Sequence, residues 1–179
     1  SDGFWANNLK EELPNPGLEV SILVYMEDVT EKVFNNIEEN MEPDERKKII
    51  NKNIEEIIKN ATKDNHYSAK VSHFYFGNQY IMSVSEVFID VRLVGAPPSS
   101  IGKFGGDTDN WVWPRHTGDF TWLRIYADKD NKPAEYSTDN VPYQPKYSFQ
   151  ISMKGVEEND FTLVFGYPAR TNQYATSFN

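Results

Sequence analysis

The sequence predicts a mainly β domain, a sandwich or barrel of five or six short strands interrupted by one helical insertion. Three observations carry this. Helical periodicity is confined to one block, about residues 29–63. After Asp64 the pattern turns to alternating, β-branched and aromatic runs and stays there. These runs are short and separated by Gly, Pro and Asn turns, which argues against strands alternating with helices around a parallel sheet. The 179 residues suffice for one domain or a large piece of one, and 4 Trp, 10 Tyr and 11 Phe exclude disorder over most of the length.

The first 17 residues have no clear frame. Phe4, Trp5 and Leu9 are apolar, and Pro14-Asn15-Pro16-Gly17 marks a turn. An opening with neither Met nor a basic-then-apolar leader reads as an internal piece of a longer chain. Leu18–Met26 (LEVSILVYM) reads as a strand. Thr30 is expected to cap a first helix over VTEKVFNNIEEN, and Pro43 suits the first turn of a second. In that second helix Ile49, Ile50, Ile54, Ile57, Ile58 and Ala61 recur at helical spacing opposite Lys, Glu and Asn. The two together predict an αα-hairpin packed on its own domain.

Ser68–Phe76 alternates as a strand, with a hairpin turn at Gly77-Asn78. Tyr80–Val94 reads as one long strand kinked near Glu86, and Gly95–Gly106 as a loop. Phe120–Ala127 is a strand, Asp128–Pro133 a polar turn, and Tyr147–Met153 and Phe161–Phe165 two last strands joined through Gly155. Eighteen basic against 27 acidic residues give a net charge of −9, which argues against nucleic acid or an anionic membrane as a partner. The longest run without a polar residue is Ile22–Met26, so no membrane span is expected. The absence of cysteine rules out disulfides, thiolate zinc sites and a cysteine nucleophile.

Unusual chemistry crowds into Gly102–Asp119, GKFGGDTDNWVWPRHTGD, where a loop built only for connection has no need of two tryptophans. Asp107, Asp109 and Asn110 have the spacing that opens a calcium loop, but the central Gly and the distal Glu are absent, so no metal or other cofactor is expected. Asp119, after Gly118 and before a strand, is a carboxylate suited to orienting a histidine. His66 lies in a polar turn and is expected to be solvated. His73 lies in a strand. His116 is too close along the chain to be an obvious partner of Asp119, and no serine sits in a Gly-x-Ser-x-Gly setting. Asn110 offers an amide acceptor and Trp111 a flat ring face, a pair able to hold a cationic amine; Trp111 and Trp113 could equally cover a barrel end.

The run GKFGGDTDNWVWPRHTGDF (102–120), with RIYAD (124–128), NVPYQPK (140–146) and VFGYPARTNQY (164–174), resembles the S46 family of serine dipeptidyl peptidases, the dipeptidyl-peptidase 7 and 11 type. DGFWA (2–6), EELPNPGLEV (11–20), EDVT (27–30) and VFIDVRLVGAPPSSIGKFGGDTDNW (87–111) fit the same family. The resemblance implies a chymotrypsin-like (trypsin-like) β-barrel catalytic domain, here partial and carrying the helical hairpin. It implies removal of dipeptides from the free N-terminus of peptides, in the periplasm, by an enzyme that is a homodimer at full length. Asp119 matches the triad aspartate; Asn110 and Trp111 match residues that hold the substrate's N-terminal amine. The triad histidine, in an HCG motif, is expected before Ser1 and the serine beyond Asn179. On this reading residues 1–179 are a fragment of the catalytic domain, inactive alone. The alternative is a stand-alone periplasmic module that binds peptides or calcium. The choice between acidic and apolar side chains at the cleavage position stays open.

Overall fold

The structure, a computed structural model, describes residues 2–38, 40–109, 112–114 and 116–163. It is mainly β, with few helices and two antiparallel sheets in a half-barrel arrangement. The chain divides into two compact units, Ser1–Gln144 and Pro145–Asn179.

In the first unit, β3 (Val20–Asp28), β5 (Gln79–Phe88) and β4 (Ser68–Phe74) form a three-stranded sheet with β5 in the centre. A bulge between Leu23 and Tyr25 shifts the β3 register, so Leu23 pairs with Ser85 and Tyr25 with Val84. Between β3 and β4 lie α1 (Thr30–Val33) and α2 (Pro43–Ala61). α2 begins with proline at its first turn, as expected. Its apolar stripe packs down: Ile50, Ile54, Ile57 and Ala61 lie against a core of Val29, Val33, Met82 and Val84.

The first expected helix shrinks to the single turn of α1. Asn36, in the left-handed region at φ 62°, breaks it, and Asn35–Asn36 offers little helix propensity to resist. The N-cap is Val29, with no side-chain cap bond, and Thr30 is the first helical residue. Asp28 Oδ1 accepts from the Thr30 N–H and hydroxyl (3.0 and 2.6 Å), and Thr30 Oγ1 accepts from the Tyr80 N–H at 2.9 Å. The β4–β5 connection is a short 3₁₀ turn over Tyr75–Gly77.

The long strand expected over Tyr80–Val94 is two strands. β5 ends at Phe88, and β6 (Val91–Ala96) belongs to the second sheet. The break falls at Ile89-Asp90 and not near Glu86, because Asp90 turns its carboxylate into a buried ion pair with Arg92. Around β6 stand β1 (Phe4–Trp5) and β2 (Leu13–Pro14) on one edge and β7 (Trp122–Ala127) on the other, with β8 (Val141–Pro142) beyond β7. β1, β2 and β8 span two residues each, too short for a periodic signal. The expected loop after β6 holds two single turns, α3 (Ser99–Gly102) and α4 (Gly106–Asp109). The Asp128–Pro133 turn forms as expected, with Asp128 Oδ1 accepting from the Asp130 and Lys132 N–H groups.

In the second unit, residues 147–153 form no strand, and neither do 161–163. Alternation alone makes a strand only when a partner takes its hydrogen bonds. Tyr147, Phe149, Ile151 and Met153 instead stay exposed. Positions 164 and 165 of the last expected strand lie outside the described residues.

Candidate active site

Asp119 lies on the extended segment that leads into β7. The preceding residues dock on the α3 turn: the Gly118 N–H donates to the Ile101 carbonyl at 3.0 Å, and the His116 ring stands edge-on to Phe104, centroids 6.1 Å apart. The following residue, Phe120, packs between Trp5 (6.2 Å) and Trp122 (6.5 Å). Held between these two anchors, the Asp119 side chain is exposed and lines an open cleft of about 440 Å³ with Ala96, Pro97, Ser99 and Lys103. Among the described residues no hydrogen bond or ion pair occupies its carboxylate. Both oxygens are available to accept an imidazole N–H.

Asn110 and Trp111, the other expected site residues, lie outside the described residues. Asp107 is paired with Lys103 at 2.9 Å, and among the described residues no group of three or more potential metal ligands forms. His66 is not simply solvated. Its Nε2 stands 2.6 Å from Glu86 Oε1, and its ring lies 4.6 Å from that of Tyr67. His73 is exposed on β4, and His116 is exposed beside Phe104.

The sheet that carries Asp119 is fastened by charges that no sequence expectation singled out. Glu12, its side chain 2 % exposed, accepts from Arg124 Nε and from the Tyr126 hydroxyl, both at 2.9 Å. Arg92 clasps Asp90 with two bonds, Nε to Oδ1 at 2.9 Å and Nη2 to Oδ2 at 2.7 Å, and also donates to the Ser137 carbonyl. Its guanidinium lies 3.6 Å above the Tyr126 ring. Burial by itself would push the Asp90 carboxyl up; bonds from Arg92 and Asn140 and the Arg92 charge outweigh it, so its pKa falls below the ordinary value. Burial, and then the bond to Glu12, push the Tyr126 phenol up to about 12. A signal for the Asp90–Arg92 pair was present: FIDVRLV sets opposite charges two residues apart, on one face, inside an otherwise apolar strand run.

A model of the Peptidase S46 family matches residues 1–179, the whole chain. The chain belongs to the peptidase S46 family. Among its S46 relatives, the Asp/Glu-specific dipeptidyl-peptidase of Capnocytophaga gingivalis is 60 % identical over 177 residues, covering 99 % of this chain and 25 % of that protein. Dipeptidyl-peptidase 7 of the same organism is 45 % identical over 176 residues, covering 98 % and 25 %. The crystal structure of Porphyromonas endodontalis DPP11 in complex with the dipeptide Arg-Glu superposes with a TM-score of 0.76 at 50 % identity, over 87 % of this chain and 23 % of that one. This S46 chain therefore spans about a quarter of the length of the curated relatives it matches.

Proposed function

We propose that this S46 chain is part of the catalytic domain of a serine exopeptidase that removes dipeptides from the free N-terminus of peptides. The observation that carries the reading is Asp119: an exposed, unpaired carboxylate in the HTGD segment, pinned on both sides and facing a cleft. In the whole enzyme it accepts the N–H of the triad imidazole and holds the tautomer whose other nitrogen takes the serine proton. It then stabilises the imidazolium as the alkoxide attacks the scissile carbonyl. Asn110 and Trp111 bind the substrate's ammonium, the amide oxygen accepting from it and the indole face attracting it. Fixing the amine at one end of the site sets cleavage two residues in.

The two sheets are, on this reading, much of a chymotrypsin-like barrel, with the α1–α2 segment as its helical insertion. The enzyme acts in the periplasm as a homodimer. We further propose that it prefers Asp or Glu before the scissile bond. The support is that relatives named Asp/Glu-specific dipeptidyl-peptidase lie at 60 %, 52 %, 50 % and 46 % identity, and those called dipeptidyl-peptidase 7 at 45–47 %.

The family-length enzyme tests this on fluorogenic dipeptides. Release is expected from substrates ending in Asp or Glu and is expected to vanish when the substrate N-terminus is acetylated. Asp119→Asn is expected to lower kcat by about 10⁴-fold, the size of that loss in trypsin-like enzymes. Full activity of Asp119→Asn overturns the assignment. The isolated chain is expected to be inert; turnover by it, lost on Asp119→Ala, would also overturn the reading.

A further inference from the structure

We propose that Gly118 is a positioning residue for Asp119, and that its missing side chain lets the HTGD segment seat on Ile101 at the depth the triad carboxylate needs. The inference rests on the reading of Asp119 given above.

Gly118 is not kept for its backbone freedom, since its φ lies outside the left-handed region and any residue could adopt it. Space is what excludes other residues. A Cβ at position 118 would stand 3.1 Å from Ile101 Cγ2 and 3.7 Å from the edge of the Phe120 ring. That first distance is short of ordinary van der Waals contact, so a methyl there requires Ile101 Cγ2 or the HTGD backbone to give by a few tenths of an ångström. The same residue makes the backbone bond to the Ile101 carbonyl at 3.0 Å, so a push at 118 loosens the anchor on which Asp119 depends. On the far side the Phe120 ring contacts Trp5 and Trp122. Asp119 is the residue between these two contacts, so a shift at 118 reaches its carboxylate. A hydrogen bond from carboxylate to imidazole tolerates little of this, and a misplacement of about 1 Å in a catalytic geometry costs on the order of 10²-fold in rate.

The test uses the family-length enzyme, with kcat and KM measured per titrated active site. Gly118→Ala is expected to lower kcat several-fold, and Gly118→Val about 10²-fold, with KM little changed because Asp119 does not touch substrate. As the carboxylate retreats, the imidazole loses an opposing charge. The acid limb of the kcat/KM profile is then expected to move to lower pH. Ile101→Leu keeps the volume but lacks Cγ2, so it is expected to restore kcat in the Gly118→Ala background; the double-mutant cycle reads the coupling.

Unchanged kcat and an unmoved acid limb in Gly118→Val overturn the proposal, as does loss of activity that Ile101→Leu does not relieve. Lowered thermal stability with normal kcat assigns Gly118 a purely structural role and also overturns it. Should Gly118→Val not fold, Ile101→Ala decides by removing the seat from the other side: a lower kcat at constant KM supports the proposal, and wild-type kinetics overturn it. Asp119→Asn keeps the two readings apart. If it is active, the triad assignment fails; if it is dead while Gly118→Val is normal, only the seat fails.

Discussion

The three-stranded sheet and the five-stranded sheet of the first unit differ in what they bury. Under α2 the buried core is apolar: Val29, Val33 and Val84 are fully buried, with Met82 beside them, and isoleucines, Phe34, Tyr67 and Tyr80 close around them. Around β6 and β7 the buried set adds charged and phenolic groups, Glu12, Asp90, Arg92 and Tyr126, to the apolar Val91 and Ala127. Apolar contact is non-directional and scales with area, so the first region needs volume more than geometry. Ion pairs and hydrogen bonds are directional, and they cost stability when one partner is lost. The directional network sits on the sheet that Asp119 leads into.

The largest effect separating the two regions is expected from Arg92→Ala. It strands Asp90 in the interior and removes the cation stacked on Tyr126, and should cost about 3–5 kcal/mol in urea unfolding. A loss below about 1 kcal/mol would erase the contrast. Val84→Ala, on the aliphatic side, is expected to cost about 2 kcal/mol, the lost methyl groups plus the cavity they leave. Next come paired conservative swaps. Ile54→Leu is expected to stay under about 1.5 kcal/mol. Arg92→Lys should exceed it, because an ammonium cannot make the two-bond clasp or lie flat on the tyrosine. Equal losses would show that volume, not direction, holds both sheets.

The smallest effect is the pH dependence of the charged region. The Asp90 pKa is lowered on folding, so the pair contributes stability above the ordinary value of 3.8 and loses it as pH falls below that towards the folded value. Tyr126 is raised from 10.0 to about 12, so its contribution is intact below 10.0 and is lost as pH climbs through that window. Thermal melts across both ranges should show these slopes in the native chain, and Tyr126→Phe should flatten the alkaline one.

Much of this was legible beforehand. The mainly β class, the isoleucine stripe of α2 and the strand at β7 follow from periodicity and turn chemistry. What was misread has more than one cause. α1 is a single turn because Asn36 goes left-handed, the long strand is two because Asp90 turns inward to Arg92, and residues 147–153 alternate yet stay unpaired. The first two are local, a left-handed residue and an ion pair two residues apart; the third reflects the lack of a partner strand.

The amino-acid order by itself determined which residues are apolar, at what spacing, and which motif bears the carboxylate, because periodicity and motif are local properties. Only the folded chain decided that Glu12 would meet Arg124 and Tyr126, that β6 would leave the sheet of β5, and that Gly118 would lie on Ile101. These are pairings across up to 114 residues, and their geometry arises only when the sheets assemble.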